Sequence, residues 1–203
     1  MELILTLIAL IVAYLLGAIP FAYLLGMKFK GIDLRKHGSG NLGATNGIRV
    51  LGPKLGLTAG FLDIVKAIVP MLLAQVAASL LLDGDLGINL LWVGFAAAVG
   101  HCYPIYMNFK GGKAVATSIG AYLLLFPLQT LVLVAMSLGI VKLTKFVSVA
   151  SSMFSILFVL EGLLFMRSLD ELLPRVAFMV LILWRHRSNY QRILQGTENK
   201  AKL

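Results

Sequence analysis

Long runs of apolar residues recur along this 203-residue chain and restrict its possible folds more than any other feature. The hydrocarbon core of a membrane requires about 20 apolar residues of helix, because each backbone polar group must find its hydrogen bond inside the segment. The chain is 59% hydrophobic and only 13% charged, which excludes a soluble globular domain, a disordered chain and a disulfide scaffold. We therefore predict an all-α polytopic membrane protein.

The apolar region 114–141 decides how many times the chain crosses the membrane. It carries Pro127 near its middle, which is compatible with one kinked helix or with two short ones. Two short helices place most of the 18 Lys and Arg residues on one side, whereas Asp83 and Asp85 fall on the other side. The positive-inside rule then predicts seven transmembrane helices, with the N-terminus outside and the C-terminal tail, including Lys202, in the cytoplasm. The prediction is one domain, 1–203, with spans at about 3–26, 55–82, 88–106, 114–126, 128–141, 147–166 and 172–186.

The segment 36–49 has the composition of an anion-binding loop. Its four glycines permit the positive φ angles that turn successive backbone N–H groups toward one centre, and such a centre binds phosphate. The spacing of a Walker loop is absent, and a flexible loop with scattered polar residues is the alternative. The candidate residues of this segment are Ser39, Gly40, Asn41, Gly43, Thr45, Asn46 and Arg49.

A second candidate segment is the run Lys110-Gly111-Gly112-Lys113, which precedes a predicted helix. Free N–H groups and the dipole at a helix N-terminus add to the charge of the lysines, so this turn is suited to an anion. The alternative is an ordinary basic loop that only sets the orientation of the neighbouring spans.

The third candidate segment is the basic tail that begins at Arg185. His186, Asn189 and Arg192 are spaced three apart, which places them along one face of a helix. His186 is a candidate general base or hydrogen-bond donor, and the alternative is a basic stretch that holds anionic lipid headgroups. All three segments fall on the predicted cytoplasmic face, and together they offer enough donors for two phosphates, or for one phosphate and an oxyanion.

A few polar residues lie inside predicted spans. Asp63 and Lys66 are three apart, so they are possible site residues, or each serves chiefly to neutralise the other. His101 is better explained as a residue that packs a loop. Four serines from Ser148 to Ser155 have the spacing of a helix-packing face. Because the three His and one Cys lack metal-ligand spacing, we expect no metal site.

The ordered set of motifs resembles the bacterial integral-membrane acyl-phosphate:glycerol-3-phosphate acyltransferases over nearly the whole chain. The departures from the family are Ala18, where Ser is frequent, and Ala114, where Gly is common. The matching residues are Gly17 to Pro20, Ser39 to Asn46 with Arg49, Asp63, Lys66, His101, Pro104, Phe109 to Lys113, His186, Arg187, Asn189, Arg192, Gly196 and Glu198.

The resemblance implies transfer of a fatty acyl group from acyl phosphate to the 1-position of sn-glycerol 3-phosphate, yielding 1-acylglycerol 3-phosphate (lysophosphatidic acid) and phosphate in phospholipid biosynthesis. It implies a multi-pass protein of the bacterial inner (plasma) membrane with a cytoplasmic-face active site. It also implies a functional link to the enzyme that makes acyl phosphate. We expect membrane lipid as a partner, no cofactor and no nucleic acid. None of the three histidines begins an HxxxxD acyltransferase motif, which is compatible with this donor.

The resemblance also assigns roles. Ser39, Lys113, His186 and Asn189 are the expected catalytic residues, with Ser39 favoured as a ligand over a covalent nucleophile. The expected phosphate-binding residues are Gly40, Asn41, Gly43, Thr45, Asn46, Arg49, Lys110, Gly111, Gly112 and Arg192. The general base is either His186 or the phosphate of the donor itself, which we favour. A transporter or flippase is the rival function, but its charged groups would lie near the membrane midplane, often with an internal repeat.

Overall fold

The computed structural model describes residues 1–82, 84, 86–165 and 167–201, and every regular element within these residues is helical. The all-α prediction is therefore confirmed. Asp83, Asp85, Met166 and Lys202, which entered the charge and span predictions, lie outside the described residues. The helices are α1 (Glu2–Gly17), α2 (Phe21–Lys30), α3 (Ala44–Leu51), α4 (Pro53–Leu81), α5 (Leu91–Cys102), α6 (Val115–Leu125), α7 (Pro127–Thr144), α8 (Val147–Leu164) and α9 (Leu169–Leu194), with 3-10 turns at Leu34–Lys36 and Ile105–Met107.

Several helical segments are long and apolar enough to cross a bilayer. Among the described residues, four segments meet both conditions, and α6 is an additional apolar helix of 11 residues. Many of their large apolar side chains stay exposed, such as Leu80 at 76% and Leu143 at 86%, as expected of surfaces that contact lipid. The number of crossings and the side on which each terminus lies stay predictions. The four segments are Glu2–Lys30, Pro53–Leu81, Pro127–Thr144 and Val147–Leu164.

The helix boundaries differ from the predicted spans in several places. The span predicted at 3–26 contains a break between α1 and α2, where Pro20 has no N–H to continue the helical hydrogen bonds. Helix α5 has 12 residues and is shorter than the span predicted at 88–106, whereas α9 has 26 and extends well beyond 172–186. The chain leaves helical geometry at Phe126, so α6 and α7 are separate helices.

The chain divides into two compact units, residues 1–121 and 122–203, with the boundary inside α6. The assignment of one domain stays a prediction. In the first unit, α1 packs against α4 and α5 through small residues. A Cβ added at Gly17 would come within 2.1 Å of the Ala97 carbonyl oxygen, and one added at Gly100 within 2.1 Å of the Tyr14 carbonyl oxygen. Glycine is therefore what allows these helices to approach so closely.

A small apolar core in the first unit fixes the segment between α2 and α3. Leu34 and Leu42, from this segment, pack with Ala22, Leu51 and Ala59 from α2, α3 and α4. Each of these side chains is at most 3% exposed. The polar part of the segment is therefore held against the helices at both of its ends.

The second unit is organised around a buried arginine and several aromatic rings. The Tyr122 ring stacks on Phe158, with their centroids 3.6 Å apart. The guanidinium of Arg175 lies 4.3 Å from the Phe126 ring and 4.4 Å from the Phe158 ring, and it forms an ion pair with Glu161. Because Glu161 lies on α8 and Arg175 on α9, this ion pair joins the two helices. The contact that Glu161 makes here is one between helices.

Candidate functional site

Asn46 is the centre of the glycine-rich loop in the first unit. Its Nδ2 donates to the carbonyl oxygens of His37 at 3.2 Å and Asn41 at 3.0 Å, and its Oδ1 accepts from the Ser39 N–H at 2.9 Å. The residue is only 2% exposed. Both Nδ2 hydrogens are used by the loop itself, so Asn46 shapes the loop in this conformation and has no hydrogen left for a phosphate.

The backbone of the loop has the geometry predicted for two of its four glycines. Gly38 and Gly40 adopt φ angles of +61° and +70°, a region that favours glycine. The third, Gly43, is the N-cap of α3, and its N–H donates to Asn41 Oδ1 at 2.9 Å. Ser39 precedes Gly43 in the loop and Thr45 follows it. Both side chains are exposed, so both hydroxyls can reach a ligand from solvent.

Gly47 has a different role from the loop glycines. It lies inside α3, where an added Cβ would come within 3.3 Å of the Gly56 Cα, and a Cβ added at Gly56 would come within 2.2 Å of the Ile48 backbone nitrogen. These two glycines let α3 cross α4 closely, which fixes the direction in which the helix leaves the loop.

The Lys110–Lys113 turn lies against the end of α5. The Gly111 N–H donates to the Cys102 carbonyl at 3.1 Å, and the Gly112 N–H donates to the His101 carbonyl at 2.9 Å. The turn leads directly into α6 at Val115. Lys110 is exposed and Lys113 is half-buried. The predicted arrangement of two lysines around a Gly-Gly turn before a helix is therefore observed.

The two predicted loops of the first unit meet each other. Asn41 Nδ2 donates to the Gly111 carbonyl oxygen at 3.3 Å, a contact between residues 70 positions apart. Ser39, Gly40, Asn41 and Gly43 thus belong to the same surface as the Lys-Gly-Gly-Lys turn. Sequence reasoning treated these segments as partners because of their chemistry, and the structure supplies the contact that joins them.

The cations near these loops differ in whether a carboxylate neutralises them. Arg35 pairs with Asp33 at 2.7 Å, and this side-chain hydrogen bond lowers the pKa of Asp33 to about 2. Arg49 and Lys110 are exposed, and neither forms an ion pair with another described residue. Their charge therefore remains available to an anion, whereas the charge of Arg35 is offset by its neighbour.

Three ionisable side chains are buried in the first unit beneath the Lys110–Lys113 turn. Lys66 Nζ lies 2.7 Å from Asp63 Oδ1 and 2.8 Å from His101 Nδ1. Asp63 and Lys66 therefore do neutralise each other. His101 joins them, and its spacing in the sequence gave no signal of this contact.

In the second unit, His186 is buried on α9 at 4% exposure. Its Nδ1 lies 2.8 Å from the Ile182 carbonyl oxygen. A carbonyl only accepts hydrogen bonds, so Nδ1 carries the hydrogen and Nε2 carries the lone pair of the neutral ring. This tautomer is the one that a general base acting through Nε2 requires.

Glu198 holds the polar residues of the tail together. Its carboxylate accepts from Asn189 Nδ2 at 2.5 Å, Arg192 Nε at 2.7 Å and Ser148 Oγ at 3.3 Å. Burial on its own would raise the pKa of Glu198, but the hydrogen bonds from Asn189 and Arg192 outweigh it and lower that pKa from its ordinary value. Gly196, at φ +69°, makes the turn that returns Glu198 to α9.

The sequence prediction did not include Glu198 or any serine of α8 among the site residues. Besides the contact of Ser148 with Glu198, the Ser152 hydroxyl lies 2.6 Å from the Tyr190 hydroxyl. The serine spacing was interpreted as helix packing, and all four serines are indeed buried. The resemblance included Glu198 among the matching positions, which was the available signal for its importance.

Each unit thus contains one cluster of predicted site residues. The first contains the glycine-rich loop with the Lys110–Lys113 turn, and the second contains Asn189 and Arg192 around Glu198, with His186 on the same helix. No group of three or more His, Cys, Asp or Glu side chains that could hold a metal ion occurs in the part of the chain that the structure describes.

Comparisons with known proteins agree on one family. The family model for glycerol-3-phosphate acyltransferase matches residues 7–196. A protein of that name from Macrococcus caseolyticus is 43% identical over 195 residues, covering 95% of each chain. Another from Halalkalibacterium halodurans is 40% identical over 192 residues, covering 93% of this chain and 91% of the other.

Two solved structures share the fold. They are crystal structures of PlsY (YgiH), an integral membrane glycerol 3-phosphate acyltransferase. The glycerol 3-phosphate form is 37% identical with a TM-score of 0.86, covering 97% of this chain and 96% of the other. The lysophosphatidic acid form is 36% identical with a TM-score of 0.84, covering 97% and 95%. The family prediction is confirmed: the chain is an integral membrane protein that belongs to the glycerol-3-phosphate acyltransferase family.

Proposed function

We propose that this protein transfers a fatty acyl group from acyl phosphate to the 1-hydroxyl of sn-glycerol 3-phosphate. The products are 1-acylglycerol 3-phosphate (lysophosphatidic acid) and inorganic phosphate. The contact between Asn41 and Gly111 carries the proposal, because it joins two segments suited to phosphate into one surface. Both the donor and the acceptor of this reaction carry a phosphate, and hydroxyl donors together with unneutralised cations on one surface are suited to hold it.

The reaction is a single substitution at the acyl carbon. The acceptor hydroxyl oxygen forms a bond to the carbonyl carbon, and the bond from that carbon to the donor phosphate oxygen breaks. The hydroxyl proton ends on the released phosphate. Since the mixed anhydride is already activated, the protein contributes mainly by positioning the reactants and stabilising negative charge.

In the first unit, the hydroxyls of Ser39 and Thr45 bind phosphate, while Asn41 and Asn46 keep the loop in shape. The N–H groups of the predicted glycines already donate within the protein, so these glycines form the turns that present the phosphate ligands; they are Gly40, Gly43, Gly111 and Gly112. The charges of Arg49, Lys110 and Lys113 complete this surface. Ser39 acts as a ligand, because among the described residues its hydroxyl has no hydrogen bond to a side-chain base that could make it a nucleophile.

In the second unit, His186 and Asn189 orient the attacking hydroxyl or stabilise the oxyanion, and Arg192 supports them through its ion pair with Glu198, which offsets its charge. Glu198 keeps Asn189 and Arg192 in place through the hydrogen bonds to its carboxylate. The donor phosphate accepts the proton, which makes the reaction substrate-assisted. The Nε2 lone pair of His186 is the alternative base, supported by the hydrogen bond that occupies Nδ1.

His186→Gln separates the two candidate bases. If the donor phosphate is the base, the variant keeps the pH dependence of the rate near neutrality and loses only the contribution of positioning. A large loss of rate together with loss of the inflection near neutral pH identifies His186 as the base instead. The measurement is the rate of phosphate release between about pH 5.5 and 8.5.

The membrane setting follows from the charge distribution. We place seven spans in a bacterial plasma membrane, with the N-terminus outside and both polar clusters exposed to the cytoplasm. The acyl chain of the donor is apolar and lies among the spans, whereas soluble glycerol 3-phosphate enters from the cytoplasm. The reaction requires neither cofactor nor nucleic acid, and it depends functionally on the enzyme that makes acyl phosphate.

The test uses purified protein in detergent with acyl phosphate and glycerol 3-phosphate, following the release of phosphate. Arg49→Gln should raise the KM of a phosphorylated substrate by about tenfold, because one charge-assisted contact is lost. Arg35→Gln is the matched control and should change little, since Asp33 already offsets this charge. Transfer from acyl-CoA but not from acyl phosphate would overturn the donor assignment. Absence of transfer from any donor would favour the transporter.

A further inference from the structure

Asp63, Lys66 and His101 form a cluster that lies almost entirely inside the first unit. The side chains of Asp63 and Lys66 are 2% and 3% exposed, and that of His101 is 7% exposed. Lys66 Nζ lies 2.7 Å from Asp63 Oδ1 and 2.8 Å from His101 Nδ1, and it donates to the Ile19 carbonyl at 2.9 Å. A membrane helix retains buried charges at considerable cost, so they commonly have a function beyond folding.

The hydrogen-bond roles of this cluster are determined by Lys66. An ammonium group only donates, so Lys66 donates to the Ile19 carbonyl and to His101, and it forms an ion pair with Asp63. His101 Nδ1 is therefore the acceptor, which puts the ring hydrogen on Nε2. The partners come from α4, from α5 and from the break between α1 and α2, so Lys66 fixes the His101 ring relative to all of these elements.

The Lys110–Lys113 turn lies directly on His101. The Gly112 N–H donates to the His101 carbonyl at 2.9 Å. A Cβ added at Gly112 would come within 1.9 Å of His101 Nε2, and one added at Gly111 within 2.1 Å of the His101 carbonyl oxygen. Lys66, His101, Gly111 and Gly112 also line one small cavity. Any rotation of the His101 ring therefore displaces the turn.

We propose that Asp63, Lys66 and His101 are positioning residues for the phosphate-binding turn. Asp63 orients Lys66, Lys66 fixes the His101 ring, and His101 holds Gly111 and Gly112 in the geometry that presents Lys113 to phosphate. This inference rests on the proposed function, since it assumes that the turn binds a phosphorylated substrate. Stability alone does not account for the pair, because apolar residues of similar volume often stabilise a protein as well as a buried ion pair does.

The test compares a single and a double variant. Lys66→Met removes one charge and leaves Asp63 buried without its counterion, so we expect lower thermal stability and lower activity together. The double variant Asp63→Asn with Lys66→Met removes both charges and keeps similar volumes. Lys54→Met is the matched control, because Lys54 lies on the same helix and is exposed. The melting temperature, kcat and the KM of each phosphorylated substrate are measured for all three variants.

A positioning role predicts that the double variant separates stability from binding. Its melting temperature should return close to that of the wild type, whereas the KM of at least one phosphorylated substrate should stay about tenfold higher than the wild-type value, with kcat changed less. A purely structural pair predicts the opposite, namely that stability and both KM values recover together. That result, or KM values unchanged in every variant, would overturn the inference.

A second measurement keeps this test separate from the proposed reaction. Inorganic phosphate and glycerol 3-phosphate should each raise the melting temperature of the wild type, because a ligand stabilises the state that binds it. This shift in melting temperature can be measured even if acyl phosphate is not a donor. Loss of the shift in the double variant then supports the inference, whereas a shift as large as in the wild type overturns the inference. If neither compound shifts the melting temperature of the wild type and no KM is measurable, both proposals fail.

Discussion

Replacing Asn46 by Ala should loosen the glycine-rich loop and weaken phosphate binding without unfolding the membrane helices. The substitution removes three hydrogen bonds, those to the His37 carbonyl, the Asn41 carbonyl and the Ser39 N–H. Each contributes about 1 kcal/mol, so the loss is at most about 3 kcal/mol. Because His37 is exposed, water replaces part of the lost hydrogen bonding, and we expect the loop to lose about 1.5 to 3 kcal/mol of stability.

In the variant the loop is disordered before the substrate binds, so phosphate has to order it. The free energy lost from the hydrogen bonds then reduces the free energy of binding. At about 1.4 kcal/mol for each factor of ten, the KM of the affected substrate should rise roughly 10- to 100-fold. A second assay reports on the loop directly. The Ser39 amide, which donates to the Asn46 side chain, should exchange its hydrogen with solvent much faster in the variant.

The matched control is Thr58→Ala, which removes an exposed side chain whose hydroxyl donates to the Lys54 carbonyl of its own helix. It should change neither the KM nor the exchange of the Ser39 amide. If Asn46→Ala speeds that exchange and leaves both KM values at the wild-type level, the loop does not bind phosphate. If exchange is also unchanged, Asn46 does not hold the loop, and the account of its shape is wrong.

Two further predictions concern stability. Glu198 has a lowered pKa in the folded protein, so its contribution to the free energy of unfolding is present above its ordinary pKa of 4.5 and is lost as the pH falls through the lowered value. The difference in melting temperature between the wild type and Glu198→Gln should accordingly be large at pH 7 and shrink below about pH 4.5. Gly17→Ala should lower the melting temperature strongly, because its Cβ would lie 2.1 Å from the Ala97 carbonyl oxygen, whereas Gly139→Ala, with nothing within 4 Å, should raise it slightly. Equal melting temperatures for the two glycine variants would refute the close packing of α1 on α5.

Local features of the sequence predicted the parts of the fold that depend on local chemistry. Pro127 was compatible with a kink or with a helix end, and the charge distribution favoured two helices. The chain leaves helical geometry at Phe126 because a proline lacks the N–H that a continuous helix needs. Gly38 and Gly40 were expected to adopt positive φ angles, and both do. The spacing of Asn189 and Arg192 placed them on one helix face, where both reach Glu198.

Contacts between distant residues could not be predicted in the same way. Lys66 and His101 are 35 positions apart and meet only because α4 and α5 pack together. Two of the three partners of Asn46 are backbone carbonyls, which every residue possesses, so no pattern of side chains indicates them. For the same reason, Asn46 was predicted as a ligand of phosphate although its amide hydrogens are used inside the loop.

The central claim is that acyl phosphate is the donor and glycerol 3-phosphate the acceptor. The most direct measurement counts both products in one reaction of the purified protein, using phosphate release and mass spectrometry of the lipid. The account predicts one phosphate released for each 1-acylglycerol 3-phosphate formed, with neither product in the absence of glycerol 3-phosphate. Release of phosphate without the lysolipid, or formation of the lysolipid only from acyl-CoA, would contradict it.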